Sequence, residues 1–551
     1  MNQHIDIPFD IEMLPVTRLQ AGSLSCLYEN GNLRRIELGG IELLRMIYGA
    51  VRDENWVTLP YNTSLENIEI GENSFRISYR ADYIHRGQQV YSAEFLLEGK
   101  ADNSISMEMK GRALESFTRN RIGLCVLHPR ESKGIPVEVT GPDGAIVNAG
   151  FPVTISPHQV LLDISALKYS IGPIDLSLAF EGDVFETEDQ RNWMDASYKT
   201  YSTPLAIPFP VEVNPGDTVF NRVTLAVGGS ILSAGARKSV DTARKKFAFP
   251  AIGYEKNYSA PLSEGALEKL KTVVFDHYRV EADLDDPDWE ARLNEAVKEA
   301  HKFRTKLEFV VFFNRDDGSV IRDVIKALKP IHEEVSHVLP LMKGRKATPV
   351  GLQENFYPLM KQAFPDILVG YGTDAYFTEL NRERPQQDFF DFVSFPLHPQ
   401  AHAQDTRTII ENLETGPDII ATIRSFTGKP IFVSPLTFSR RKNPDATNPQ
   451  SATESVVDER QHSWFCVGWT LWCICSLCGA DRITMYRTTG AKGILPDPGQ
   501  TAYLLETLAR IKEFSPVRMS GQKNSPTGPS IILEDSRGDT LSINLAAGFS
   551  L

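Results

Sequence analysis

Over the first 235 residues apolar and polar positions alternate in short runs such as SLSCLYEN, SFRISYRA, YSAEFLLEG, SISMEMKG and TVFNRVTLAVGG, parted by Gly, Asn, Asp and Pro. A period of two puts one face of each run on a core and the other in water, so the pattern predicts roughly ten or more strands of a large antiparallel sandwich. Near 231–262 the pattern breaks, first through basic Arg237 to Lys246 and then through FAFPAIGYEKNYSAPLSEG, which reads as a linker. Beyond it, apolar runs at 277–282, 307–313, 335–341, 367–372, 390–395, 431–435 and 483–486 have the length of parallel strands buried on both faces. Amphipathic stretches of helix length fall between them, at 288–303, 320–328, 352–364, 406–427, 463–478 and 502–514. Such βα units over about 250 residues match a (β/α)8 TIM-like barrel in size. A doubly wound open sheet is the competitor, but no glycine-rich phosphate turn follows any run. After Ser515 short strands return in PSIILEDS and GDTLSINLAAG, and the sequence leaves open whether they form their own module or rejoin the sandwich. The reading is therefore an N-terminal antiparallel β-sandwich over 1–235, a barrel catalytic domain over 236–515 and a small C-terminal β module over 516–551.

Composition narrows the partners. With 71 acidic against 58 basic residues the net charge is −13, and no Lys and Arg stripe is interleaved with aromatics. Nucleic acid and anionic membrane are thus poor partners. The opening MNQHIDIPFDIEMLP has no basic region followed by an apolar core, which points to the cytoplasm. The apolar run 464–480 is short for a membrane span and reads as a buried barrel helix, with Cys475 and Cys478 inside it as packing residues. Association into a homo-oligomer is left open.

Candidate chemistry gathers after two of the strand runs. Behind 367–372 come Thr373, Asp374, Tyr376, Glu379, Asn381 and Arg382; behind 390–395 come His398, His402 and Asp405. At the C-terminal ends of barrel strands such residues line the active-site mouth. Counted in order, these ends belong to the fourth and fifth strands, and Tyr486 and Arg487 end the seventh. Barrel glycosidases place one carboxylate after strand four and another at the end of strand seven, and need both. Asp374 or Glu379 suits the first position, but the second holds Arg487. An always-protonated guanidinium is no nucleophile, yet it steadies an oxyanion, which moves the chemistry towards an acyl centre. Glu379, Asp374 and His398 are the candidate catalytic groups; Glu281, Asn381, His402, Tyr486 and Arg487 are candidate substrate contacts. A metal site at His398, His402 and Asp405 is disfavoured by Pro399 between the histidines and by the lack of H-E-x-x-H, so no metal and no cofactor are expected. No G-x-S-x-G suggests a serine hydrolase. Structural roles compete: Glu379 has Arg382 and Arg384 nearby, Asp405 can cap a helix, His128 suits a core, and the cluster Glu188 to Lys199 reads best as a network docking the sandwich on its neighbour.

Several longer segments carry a resemblance. GGIELLRMIYGAVRDENW, RNRIGLCVLHP, EDQRNWMDASYKTYSTPLAIPFPV, GTDAYFTELNRERP, VSFPLHPQAHAQD, VSPLTFSRRKNPDAT, VDERQ and YRTTG are similar to the D-apionate lactonase family over nearly the whole chain. The resemblance implies a β domain, a central barrel and a small C-terminal domain, and hydrolysis of an aldonolactone without a nucleotide cofactor. In the family pattern the position of Arg487 is often glutamate, giving YETTG where this chain has YRTTG. The alternatives are a TIM-barrel glycoside hydrolase with Glu379 as acid/base, partnered by Glu281 or Asp374, and a sugar-binding relative without catalysis.

Overall fold

A computed structural model describes residues 3–229, 245–259, 261–447, 457–523 and 528–550. Two antiparallel nine-stranded sheets face each other across the N-terminal region. In the sheet that runs from Ile146–Gly150 to Tyr61–Ile70, strands alternate as the sequence predicts; Ile174–Glu181 buries every second side chain. The other sheet departs from that pattern. Its strands Phe185–Asp189 (FETED) and Ser197–Tyr201 (SYKTY) are buried at every position, and Phe117–Pro129 at nearly every one. Periodicity is lost there because one face covers the sandwich core and the other is covered by the barrel.

Many of the polar groups caught in that layer are paired, which offsets the cost of burying them. Tyr201 donates to Glu186 at 2.5 Å, and Lys199 meets Glu188 at 2.5 Å. Arg191 is clamped on Asp189 at 2.7 Å and reaches across to Asp418 at 3.1 Å, where Arg130 also arrives at 2.7 Å. Arg34 bridges to Asp405 and Glu411, both at 3.0 Å. The cluster from Glu188 to Lys199 does dock the two parts together. His128 is a core histidine, hydrogen-bonded to Tyr169 at 2.9 Å and Thr200 at 2.8 Å.

The barrel has eight parallel strands: β1 Ala251–Glu255, β2 His277–Asp283, β3 Lys306–Phe313, β4 Val335–Met342, β5 Leu368–Gly372, β6 Phe392–Leu397, β7 Ile431–Leu436 and β8 Arg482–Thr489. Strand β1 pairs with both β2 and β8 and so closes the ring. It lies within the stretch read as linker, whose basic part up to residue 244 is outside the described residues. The strand count therefore shifts by one: the end bearing Asp374 is the fifth, and the end bearing Arg487 is the eighth. Helices fall close to the predicted places, among them Trp289–Phe303, Val350–Ala363, Trp464–Ser476 and Tyr503–Phe514. Helix Trp464–Ser476 is buried along most of its length, and among the described residues no helix is long and apolar enough to cross a membrane.

The C-terminal strands Arg518–Gln522, Ser530–Glu534 and Thr540–Leu545 form a sheet separate from both sandwich sheets. Its far edge is taken by the N-terminal strand Gln3–Ile7, which runs parallel to Thr540–Leu545 with Ile5 opposite Ile543. The first residues of the chain thus belong to the last module rather than to the sandwich.

Candidate active site

The barrel interior is polar where such interiors are commonly filled by branched aliphatic side chains. Strand β2 reads HYRVEAD, and its period of two places Tyr278, Val280 and Ala282 in the apolar core that surrounds the barrel. His277 and Arg279 turn the other way, as their partners show. His277 Nε2 lies 2.8 Å from Thr484 Oγ1, which donates to Glu308 at 2.5 Å. Arg279 Nη1 donates to Glu308 at 3.0 Å and to Ser434 at 2.8 Å, and Ser434 also bonds Glu308. Burial pushes the Glu308 carboxyl up, but His337, Arg279 and His277 around it outweigh that and hold it well below the usual carboxylate range. Arg279 is fixed from below by this charged floor.

Its other nitrogen reaches the mouth. Arg279 Nη2 donates to Glu281 at 2.7 Å and to Asp374 at 3.2 Å. From the loop after β7, Arg441 donates to Asp374 at 2.7 Å, to Glu281 at 2.8 Å and, more loosely, to Glu255 at 3.4 Å. Lys442 binds Asp374 as well. Burial raises both Glu281 and Asp374, but Arg441, Lys442 and Arg279 overcome it, so both stay ionised far below neutral pH. Glu255, which ends β1, has only loose ion pairs, with Arg441 and with Arg487 at 3.9 Å. Three carboxylates therefore converge on one guanidinium.

These groups border a cavity of about 200 Å³ lined by Glu255, Glu281, Arg441, Tyr486, Arg487 and Lys492. Burial, with Arg487 and Arg441 nearby, pulls the Lys492 ammonium down to about 8. On their other side Glu281 and Asp374 border a wider groove of about 790 Å³. Register explains how Arg487 arrives. Tyr254 is opposite Met485 but Glu255 is opposite Arg487, so Tyr486 is the extra residue of a bulge, with φ of 36°. A bulge re-aims the side chain that follows it. Tyr486 lines the cavity, but its hydroxyl is taken by Thr470 at 2.7 Å on helix Trp464–Ser476.

Of the residues singled out from sequence, Asp374, Glu281 and Arg487 meet here. Glu379 does not join them. It sits on the short helix Phe377–Arg382, paired with Arg382 at 3.5 Å and Lys346 at 3.8 Å, and burial raises its carboxyl. Asn381 donates to Ile155 O and to Asn192 Oδ1, both at 3.0 Å, so its amide ties the barrel to the sandwich. His398 is buried, and burial, with Arg440 and Arg441 near, lowers it to about 3. Its Nδ1 accepts from the Gln400 N–H at 3.2 Å, which places the proton on Nε2. His402 bonds Asp195 at 2.6 Å on the sandwich side. Asp405 caps the helix Thr406–Glu411 through the Thr408 N–H at 2.9 Å. Glu255, Arg279, Glu308, Arg441, Lys442 and Lys492 were not singled out. The alternating HYRVEAD and the cationic SRRKN were the available signals for three of them, Arg279, Arg441 and Lys442.

Residues 10–230 match the family model described as D-apionate lactonase, N-terminal domain, and residues 254–517 match D-apionate lactonase, TIM barrel domain. A curated D-apionate lactonase from Brucella anthropi is 29% identical over 518 residues, covering 88% of this chain and 84% of that protein. Among solved structures, a beta-arabinopyranosidase covers 97% of each chain at 10% identity with a TM-score of 0.30. A family 51 alpha-L-arabinofuranosidase from Bifidobacterium longum covers 56% of this chain and 87% of its own at 9% identity, with a TM-score of 0.39. Likeness at that level carries no functional weight. The two domain matches, one over the sandwich and one over the barrel, place the chain in the D-apionate lactonase family.

Proposed function

We propose that the protein opens a sugar-acid lactone, of the D-apionolactone type, at the C-terminal mouth of the barrel. The observation that carries this reading is the convergence of Glu255, Glu281 and Asp374 on Arg441, with Glu255, Glu281, Arg441, Arg487 and Lys492 lining one small cavity. Lactone opening needs a base for water, a donor for the oxygen that turns negative and a proton for the departing ring oxygen. Glu281 and Asp374 are locked by guanidinium groups and are poor bases. Glu255, held only loosely, takes the proton from water as the water oxygen adds to the acyl carbon. Arg487 and Arg441 stabilise the oxyanion. When the carbonyl re-forms, the acyl C–O bond breaks and Lys492 protonates the ring oxygen as it leaves. The products are the aldonate and, after Glu255 and Lys492 return to their starting states, one proton. Arg487 suits this acyl chemistry and cannot serve as the second carboxylate of a retaining glycosidase.

The test is proton release from a panel of aldonolactones, D-apionolactone included, run beside aryl glycosides and with and without a chelator. Fast lactone opening that is indifferent to chelator is expected. Glycoside cleavage with inert lactones would overturn the reading.

A further inference from the structure

A second cavity, of about 400 Å³, lies where the sandwich meets the barrel loops; it shares Lys346, Asn443 and Pro444 with the groove that borders Glu281 and Asp374, but neither of these carboxylates lines it. Its sandwich wall carries Arg52, Arg121 and Lys199; its barrel wall carries Lys346, Arg382 and Arg440. Against these six cations stand two lining carboxylates among the described residues, Glu188 and Asp445. In a chain whose net charge is −13, that excess is local. The two carboxylates are already used, Glu188 by Lys199 at 2.5 Å and Asp445 by Lys346.

Three guanidinium groups are left without an ion pair among the described residues. Arg121, 4% exposed, donates only to backbone carbonyls, those of Asn120, Pro204 and Ile207. Its Nε has no partner, and burial pulls its guanidinium down. Arg52, 5% exposed, has an unpartnered Nη2. Arg440 has neither a hydrogen bond nor an ion pair among the described residues. Buried charge without a counter-charge is costly, and an anion entering the cavity offsets that cost. Flat apolar faces complete the wall. Trp56, Trp193, Phe209 and Tyr376 line it, with Arg121 stacked 4.7 Å from Phe209 and Arg382 5.6 Å from Trp193. Aromatic faces beside guanidinium groups suit a ligand that is carbon-and-hydroxyl on one side and carboxylate on the other.

We infer that this cavity is a binding site for a sugar-acid anion, beside the mouth but distinct from its small cavity, and built only when sandwich and barrel are docked. Lactone opening makes such an anion, so the site would hold the product class of the proposed reaction. It does not need that reaction to be correct, because the charge imbalance stands by itself.

Calorimetric titration of the full chain tests it, with D-gluconate as probe and neutral D-sorbitol and inorganic phosphate as controls. One gluconate should bind per chain, more weakly as salt rises, with sorbitol and phosphate at least tenfold weaker. Arg440→Gln should weaken gluconate at least tenfold, and Lys346→Gln, at a half-exposed position, should weaken it too. Glu281→Gln in the mouth should leave it intact. Absent gluconate binding, phosphate binding equally well, binding unchanged in both Arg440→Gln and Lys346→Gln, or binding lost in Glu281→Gln would each overturn the inference. Because the titration involves no turnover, a protein that binds gluconate but opens no lactone would sink only the lactonase reading. One that opens lactones but binds no gluconate would sink only this one.

Discussion

The two cavities are built from the same kinds of side chain and differ in how charge is balanced. At the barrel mouth the guanidinium groups meet carboxylates: Arg441 touches three and Arg279 touches Glu281, Asp374 and Glu308. Between sandwich and barrel, Arg52, Arg121 and Arg440 meet none among the described residues. The neighbours Arg440 and Arg441, in the loop after β7, face these two settings one residue apart. A neutralised network fixes geometry, as a reaction requires, whereas an unneutralised one waits for a counter-ion. The mouth is thus the place for chemistry and the interdomain cavity the place for binding.

The sharpest way to break that comparison is to remove the loosely held carboxylate. Glu255→Gln should lower kcat by ~10²–10⁴-fold with KM within a few fold, since a positioned base is worth that much; steady-state kinetics on the best lactone, with circular dichroism to confirm folding, decides it. An unchanged kcat would remove Glu255 from the mechanism. Next in size is Arg441→Gln, which leaves Glu281 and Asp374 facing each other with one clamp fewer. Breaking a buried pair from one side costs about 3 kcal/mol, so the loss should be plain in urea unfolding. A smaller effect is expected in the pH profile. If the Lys492 ammonium protonates the leaving oxygen, kcat/KM holds below its lowered value and falls as pH rises through about 8, where the proton is lost. Lys492→Met should flatten that alkaline limb along with lowering the rate, and a limb that survives the substitution belongs to another group. The smallest effect should come from Arg440→Gln. Having no partner among the described residues to lose, it should unfold within about 0.5 kcal/mol of the parent, in contrast to its neighbour. A loss as large as that of Arg441→Gln would show that Arg440 is part of a structural network after all.

Much of this arrangement was legible in the chain because it rests on periodicity. Alternation in the sandwich, buried runs for strands β2 to β8 and helix-length stretches between them are local signals, and the structure follows them. Strand β1 was missed because AIGYE is five residues long and sits among Pro, Gly and charged residues, where closure of the ring rather than local propensity makes it a strand. That miss also hid Glu255 and shifted the numbering of the strand ends. FETED and SYKTY read as half-exposed, and only the barrel docked on their outer face buries them. In the site, Asp374, Glu281 and Arg487 could be named from sequence because strand ends are where barrels carry chemistry. That residues 255 and 487 are adjacent, or that Tyr486 is the extra residue of a bulge, follows from register and has no local signature. Glu379 and Asn381 lie on a short helix and His402 on a loop, in polar segments that also meet the sandwich, and there Asn381 and His402 serve docking.

The central claim is that water activated at the barrel mouth adds to the acyl carbon of a lactone. The most direct measurement is the opening of an aldonolactone in heavy-oxygen water, following rate and label together. The account requires opening far faster than in buffer, with one heavy oxygen in the new carboxylate. No acceleration over buffer, or label on the hydroxyl-bearing carbon, as attack at a saturated ring carbon would leave it, would contradict the account.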